Sequence, residues 1–77
     1  MDREQQLPSE RVAAHLRDRI HSGELRPGQQ LPTVSQLAAE LGAGRATVSR
    51  ALRMLESEGL IVTRPRWGSF VAEHEPK

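Results

Sequence analysis

The 77-residue chain forms one small domain, because a chain of this size buries only about 60% of its unfolded surface and cannot build a second core. The composition, 36% hydrophobic and 3% aromatic without cysteine, excludes disulfides and thiolate zinc sites and predicts an aliphatic, helical core. No apolar run approaches the roughly 20 residues that span a bilayer, and the N-terminus is too polar for a secretory signal, so a cytoplasmic protein without a membrane partner is expected.

The net charge of +1 is unevenly distributed along the chain. Residues 1–42 carry −1, residues 43–71 carry +3 and residues 72–77 carry −1. Ten of the eleven basic residues are Arg, whose planar guanidinium suits phosphates and guanine edges better than a Lys ammonium does. The second half is therefore expected to face nucleic acid, although genome composition explains the high Arg content equally well.

A first helix is predicted after a flexible, polar lead-in at residues 1–8. Ser9 is the expected N-cap, and Gly23 is expected to end the helix in a left-handed conformation. One helical face is apolar and consists of Val12, Ala13, Leu16 and Ile20.

A turn follows the first helix, because a continuous helix is excluded by Pro27, Gly28 and Pro32. The turn leads into a short extended piece at residues 29–31, which could form an edge strand. Thr33 and Gln36 have the spacing of a capping box, so a second helix is predicted over residues 34–41. Its inward residues are Leu37, Ala38 and Leu41.

A third helix is predicted over residues 45–58, after a three-residue turn at residues 42–44, and Gly59 closes it. Its apolar face consists of Val48, Ala51, Leu52 and Leu55. The opposite face consists of Ala46, Ser49, Arg50, Arg53 and Ser57, with Thr47 and Met54 on one flank.

Two short runs at residues 60–63 and 69–72 are rich in β-branched or aromatic residues and predict a β-hairpin with a basic tip. The predicted fold is thus mainly α with a small β-hairpin (α+β), a winged helix-turn-helix of three helices and a wing over residues 9–72. Residues 73–77 are expected to be a polar tail or a truncated linker.

A glycine turn that leads into a helix with a small, basic outer face is the geometry that lets this helix enter the DNA major groove. The groove is about 12 Å wide, so bulky residues would hold the helix away from the base edges. Ala46, Thr47 and Ser49 are small enough, and Arg45 and Arg50 are long enough to reach guanine or phosphate.

Three further positions have chemistry that suits phosphates. Gly44 leaves the N–H groups at the start of the third helix uncovered, and these attract an anion. Arg64 and Arg66 at the hairpin tip would lie along the neighbouring backbone or minor groove. The full candidate set of DNA contacts is Thr33, Ser35, Gly44, Arg45, Ala46, Thr47, Ser49, Arg50, Arg53, Arg64, Arg66, Trp67 and Gly68.

The chain resembles the DNA-binding domain of the GntR family of bacterial transcription regulators over about residues 9–72. The resemblance rests first on the turn motif of Gly23, Glu24, Leu25, Pro27 and Gly28, and on the pairs Leu31-Pro32, Leu37-Ala38 and Leu41-Gly42. It continues in the third helix with Arg45, Thr47, Val48, Ala51 and Leu52, then with Leu55, Glu56, Glu58, Gly59 and Leu60, and in the wing with Gly68, Phe70 and Val71.

This resemblance implies that Arg45, Thr47 and the wing around Gly68 contact a double-stranded operator, as in a repressor. Members usually carry a further domain that binds an effector and dimerises, and this domain is not present in the chain. A homodimer on a palindrome is the usual arrangement of helix-turn-helix proteins, although the sequence shows no dimer seam.

The chain departs from the family pattern at three places. Relatives often have Glu-Arg where this chain has Val34 and Ser35, so an Arg contact common among them cannot occur here. Ser49 stands where many members carry Arg, and Gly44 replaces a capping Ser or Thr. These departures concern the operator sequence more than the fold.

Several residues have a second interpretation. Arg53 either contacts the DNA backbone or forms a salt bridge with Glu56 or Glu58. Trp67 is expected to pack on the hairpin rather than to stack on bases, since one aromatic residue makes no single-strand surface. Phe70 is expected in the core.

Neither a metal site nor a catalytic site is predicted, and no cofactor is expected. His15 and His21 fall on different helix faces and no cysteine supports them or His74. No nucleophile and base have a suggestive spacing, so the protein is not expected to be an enzyme. The alternative function is a winged helix that binds another protein, which would require an exposed apolar patch on the third helix.

Overall fold

The structure is a computed structural model that describes residues 8–73. Within that range, three helices precede a two-stranded antiparallel hairpin: α1 Ser9–His21, α2 Val34–Leu41, α3 Arg45–Ser57, β1 Ile61–Arg64 and β2 Gly68–Val71. The predicted fold class is confirmed. Residues 1–7 of the expected lead-in (residues 1–8) and residues 74–77 of the expected tail (residues 73–77) lie outside the described residues.

Four predicted details of these elements are wrong by one or a few residues. Ser9 is the first helical residue, and Pro8 is the N-cap, because its extended backbone (φ −67°, ψ 157°) directs its carbonyl toward the first turn. This carbonyl accepts the N–H groups of Arg11 and Val12 at 2.9 and 3.2 Å. α3 ends one residue early, with Glu58 as its C-cap, and both strands start one residue away from the predicted positions.

The extended piece at residues 29–31 does not form a strand of its own and makes one bridge, between Gln30 and Phe70. The surrounding segment nevertheless runs along β2. The Leu31 N–H donates to the Ser69 carbonyl at 2.8 Å, and the Val71 N–H donates to the Gln29 carbonyl at 2.9 Å. The loop before α2 is therefore attached to the hairpin by backbone hydrogen bonds.

The apolar core of residues 8–73 lies between α1, α2, α3 and the base of the hairpin. The predicted inward faces of all three helices are confirmed. On α2, Leu37 is fully buried, while Ala38 and Leu41 are partly buried and pack against the core. Core residues outside the helices come from the loop before α2 and from the hairpin, namely Leu25, Leu31, Leu60, Ile61 and Val71. Since Ile61 and Val71 pair directly across the strands, the base of the hairpin is part of the core.

The expectation for Phe70 is wrong. Phe70 is half-buried and pairs with Val62, which is 41% exposed, on the face of the hairpin opposite to Ile61 and Val71. Successive residues of a strand point to opposite faces, so Val71 in the core directs Phe70 away from it.

Two arginines of α1 form ion pairs that connect this helix to other elements of the fold. Arg17 donates from Nε and Nη2 to the two carboxylate oxygens of Glu58 at 2.9 and 2.6 Å, which ties α1 to the end of α3. Arg19 lies 3.1 Å from Glu24 and 3.8 Å from Glu40, and thus links α1 to the next turn and to α2. The hydrogen bonds from Arg17 hold the pKa of Glu58 below its ordinary value.

Candidate nucleic-acid interface

The turn between α2 and α3 determines how α3 is presented. The predicted capping box is present: the Thr33 hydroxyl accepts the Gln36 N–H at 3.0 Å, and the Gln36 side chain accepts the Thr33 N–H at 2.9 Å. Gly42 ends α2 in the left-handed conformation (φ 67°, ψ 32°) and donates its N–H to the Ala38 carbonyl. An L-residue adopts this conformation at a cost, so glycine suits the position.

The N-terminus of α3 has no side-chain cap. Gly44 is the N-cap, with extended backbone (φ −72°, ψ 154°), and its carbonyl accepts the Val48 N–H at 3.0 Å. Gly44 and the next two residues are exposed. The N–H groups of the first turn therefore face solvent, with the partial positive charge of the helix dipole behind them.

The outward face of α3 is accessible as predicted. Ala46, Arg50 and Arg53 are exposed, and Thr47 and Ser49 are half-buried at the edges of the apolar face. Among residues 8–73, no carboxylate lies within ion-pairing distance of an arginine of this helix. The alternative of a salt bridge from Arg53 to Glu56 or Glu58 is wrong, because neither pair is present within residues 8–73 and Glu58 pairs with Arg17 instead.

The tip of the wing is a tight, hydrogen-bonded turn. The Trp67 N–H donates to the Arg64 carbonyl at 3.0 Å across Pro65 and Arg66. Arg66 has φ 74°, and within residues 8–73 it alone among non-glycine residues has a positive φ. This position of a type II turn favours Gly or Asn, so a bulky arginine here costs about 1–3 kcal/mol of backbone strain.

The side chain of Gln30, in the loop before α2, is hydrogen-bonded to this turn. Its Nε2 donates to the Trp67 carbonyl at 2.5 Å. A Cβ on Gly68, which has φ 109°, would lie 2.9 Å from the same Nε2 atom. The backbone conformation of Gly68 therefore favours glycine, and a Cβ there would in addition displace the end of the Gln30 side chain.

The wing tip lies beside the start of α2. A cleft between them is lined by Thr33 and Val34 at the start of α2, by Arg66, Trp67 and Gly68 at the wing tip, and by Leu52 of α3. The candidate residues of the wing and Thr33 of the α2 start are therefore adjacent, although more than thirty residues separate them in the chain.

Residues 5–71 match the family described as bacterial regulatory proteins, gntR family. The chain belongs to the GntR family. It is 46% identical over 59 residues to the HTH-type transcriptional regulator Rv1152 of Mycobacterium tuberculosis, covering 77% of this chain and 49% of that protein. It is 44% identical over 64 residues to the histidine utilization repressor of Klebsiella aerogenes, covering 83% and 27%. The chain thus spans about half or less of the length of these relatives.

Solved structures show the winged helix-turn-helix fold of this GntR-family chain. A GntR family transcriptional regulator from Listeria monocytogenes matches with a TM-score of 0.83 and 26% identity, covering 86% of this chain and 58% of that one. The DNA-binding domain of AraR, solved in complex with operator ORX1, matches with a TM-score of 0.81 and 33% identity, covering 90% and 84%.

The candidate DNA contacts of the GntR-family chain fall into two groups. One group lies on the turn and α3, from Gly44 to Arg53, and the other comprises the wing tip and the start of α2 at Thr33 and Ser35. All are exposed except the half-buried Thr47 and Ser49. Trp67 departs from its expected packing, since 71% of it is exposed and the hairpin covers only a minority of the indole.

One residue of the site was missed by the sequence analysis. Gln30 positions the wing tip, yet it lies 37 residues before Trp67 and belongs to no local motif. Within residues 8–73, no three His, Asp or Glu residues are grouped so as to hold a metal ion. None of the helices in this range has the length and apolar character needed to cross a membrane.

Proposed function

We propose that this domain, residues 9–72, binds double-stranded operator DNA and recognises its sequence through α3 in the major groove. The observation that carries the proposal is the exposed face of α3. It combines small residues with arginines whose guanidinium groups have no carboxylate partner within residues 8–73. Such a face can approach base edges closely while Arg45 and Arg50 reach guanine or phosphate.

The helix terminus and the wing supply the sequence-independent contacts in this proposal. The uncapped N–H groups behind Gly44 bind a phosphate, while Arg64 and Arg66 grip the flanking backbone or minor groove. Phosphate contacts set the register of the protein on the duplex, and the contacts from α3 to bases then select the sequence.

The regulatory role is also part of the proposal. The histidine utilization repressor of Klebsiella aerogenes is a relative at 44% identity, which supports repression by operator occupancy. We also propose that the protein acts in the cytoplasm and is not an enzyme. A homodimer on a palindromic operator, the usual arrangement of helix-turn-helix proteins, is part of the same proposal.

The experiment is an anisotropy titration of fluorescein-labelled random duplex DNA at two salt concentrations, followed by selection of bound sequences from a random pool. We expect affinity to fall steeply with salt, since each neutralised phosphate contributes a slope of about −0.9 in log K against log salt. We also expect a recurring motif among the selected duplexes. A binding curve that is absent at low salt would refute DNA binding and favour protein contact.

A matched pair of variants locates the interface. Arg50→Ala removes one positive charge from the exposed face of α3, and Arg26→Ala removes the same charge from the loop before α2. Arg26 lies near the base of the hairpin, because its carbonyl accepts the Gln29 N–H in a segment bonded to Val71. We expect Arg50→Ala to weaken binding and Arg26→Ala to leave it unchanged. Equal losses would mean that net charge alone determines the affinity.

A further inference from the structure

The wing tip, residues 64–68, lies beyond the part of the hairpin that the core holds. All five of its residues are exposed, whereas Ile61 and Val71 anchor the base of the hairpin in the core. A two-stranded hairpin is at best marginally stable by itself in water. The left-handed conformation of Arg66 adds strain to the turn. The tip therefore needs a restraint from outside the hairpin to keep one position.

The side chain of Gln30 supplies such a restraint. Within residues 8–73, its bond from Nε2 to the Trp67 carbonyl is the one hydrogen bond that reaches the wing tip from outside the hairpin. Gln30 is bridged to Phe70, and positions 68 and 70 face the same side of β2 because side chains alternate along a strand. The Gln30 side chain thus passes over Gly68, where a Cβ would lie 2.9 Å from Nε2.

The loop that carries Gln30 is itself fixed to the core. The Leu31 side chain is buried, and the Leu31 N–H donates to the Ser69 carbonyl at 2.8 Å. Two residues further along, Thr33 caps α2. Gln30 therefore ties the wing tip to the segment that leads into α2, so that the two groups of candidate DNA contacts are held at one spacing.

A fixed spacing matters when two parts of a protein contact one duplex at the same time. In the proposed function, Arg64 and Arg66 contact phosphates while α3 contacts bases. If the wing tip were mobile, binding would have to order it, and this ordering would subtract from the free energy of binding. A residue that orders the tip beforehand raises the affinity without touching the duplex.

We propose that Gln30 is a positioning residue for DNA binding, whose side chain holds the wing tip where Arg64 and Arg66 meet the duplex while α3 lies in the major groove. This inference rests on the proposed function and adds to it a residue that acts through the wing. Because the wing contacts are proposed to be independent of sequence, Gln30 raises the affinity for all duplexes alike.

The first test compares two variants of the whole chain. Gln30→Met keeps the length of the side chain and removes its donor. Gln29→Met is the matched control, because Gln29 Oε1 accepts the Arg26 N–H at 2.9 Å and this variant loses one bond to the backbone of the same loop. We expect Gln30→Met to bind selected and random duplexes about two- to tenfold more weakly than Gln29→Met, the equivalent of one hydrogen bond. Equal affinities of the two variants would overturn the inference.

A double-mutant cycle separates positioning from direct contact. The variant with both Arg64→Ala and Arg66→Ala is expected to bind more weakly than wild type, and Gln30→Met should have no further effect in it. If Gln30→Met weakens binding equally in both backgrounds, Gln30 does not act through the wing and the inference is wrong. If the double arginine variant binds like wild type, the wing makes no contact and the inference fails, although binding through α3 stands. If wild type does not bind even at low salt, the proposed function fails and this inference with it.

The free protein provides a readout that does not depend on DNA. We expect Gln30→Met to speed the solvent exchange of the Trp67 N–H, measured by NMR, and to leave that of Leu55 in the core of α3 unchanged. Unchanged exchange at Trp67 would mean that the tip does not depend on Gln30, which overturns the inference. Both Met variants are expected to melt at similar temperatures. A much lower Tm for Gln30→Met than for Gln29→Met would assign Gln30 to fold stability and would also overturn it.

Discussion

Replacing Gly68 by alanine tests how the wing is held. The new Cβ would lie 2.9 Å from Gln30 Nε2, and the backbone would have to keep φ at 109°. The conformational strain costs about 1–3 kcal/mol, and displacement of Gln30 removes a hydrogen bond that contributes about 0.5–1.5 kcal/mol. We therefore expect Gly68→Ala to lower the free energy of unfolding by about 2–4 kcal/mol in total.

We expect this substitution to destabilise the whole domain, because Ile61 and Val71 at the other end of the hairpin are part of the core. The assay is thermal and urea unfolding followed by circular dichroism. For a domain of this size, each kcal/mol shifts Tm by about 4–8 °C, so a decrease on the order of 10 °C or more is expected.

Two control variants separate strain from steric displacement. Gly42 also has a positive φ (67°), but an added Cβ there would meet nothing within 4 Å, so Gly42→Ala measures strain without a clash. The Gln30→Ala variant removes the side chain that the new Cβ would contact. In that variant, Gly68→Ala should lower the free energy of unfolding only by the backbone strain at position 68. The reasoning is refuted if Gly68→Ala costs no more than Gly42→Ala, or if the effects of Gln30→Ala and Gly68→Ala simply add.

Further predictions concern the interface, the core and the ion pair. If Arg45 contacts a guanine, Arg45→Ala is expected to cost about 1–3 kcal/mol of specific binding free energy. Arg66→Ala should instead weaken binding to all duplexes alike. Titrations in which Arg45→Ala loses equal affinity for selected and random DNA would contradict base recognition by Arg45. Leu52→Ala should destabilise the fold by about 2–5 kcal/mol through a core cavity, and an unchanged melting curve would remove Leu52 from the core. Because the pKa of Glu58 is lowered in the fold, its pair with Arg17 stabilises at neutral pH and this contribution disappears as pH falls through the folded-state pKa. Glu58→Gln should therefore cost at most about 1 kcal/mol at pH 7 and nothing at acidic pH in urea unfolding; a cost that is independent of pH would indicate packing instead.

The accessible face of α3 could be predicted because helical periodicity alone decides it. Val48, Ala51 and Leu55 share one face at spacings of three and four residues, so the positions between them must point outward. The same applies to the capping box of Thr33 and Gln36, which depends on residues three positions apart. Local rules were less reliable at Ser9, where a cap was expected from residue type, because the extended Pro8 starts the helix one residue earlier.

The burial of individual hairpin residues could not be predicted, because it depends on which face of the two-stranded sheet packs against the core. A strand of four residues has too few positions to show that face, so Phe70 was expected inside although Val71 occupies that place. The same holds for Trp67, whose 71% exposure depends on the conformation of the turn at the tip.

The amino-acid sequence by itself determined the three helices, the turn that joins two of them, the presence of a basic hairpin and the family. These features depend on residue spacing within a few turns of the chain. Only the tertiary structure decided that the Gln30 side chain hydrogen-bonds to Trp67 in the wing tip, 37 residues away. It also decided that Glu58 pairs with Arg17, 41 residues away, and not with Arg53. Such pairings are set by the packing of whole elements, and the same side chains could have found other partners in another arrangement of the helices.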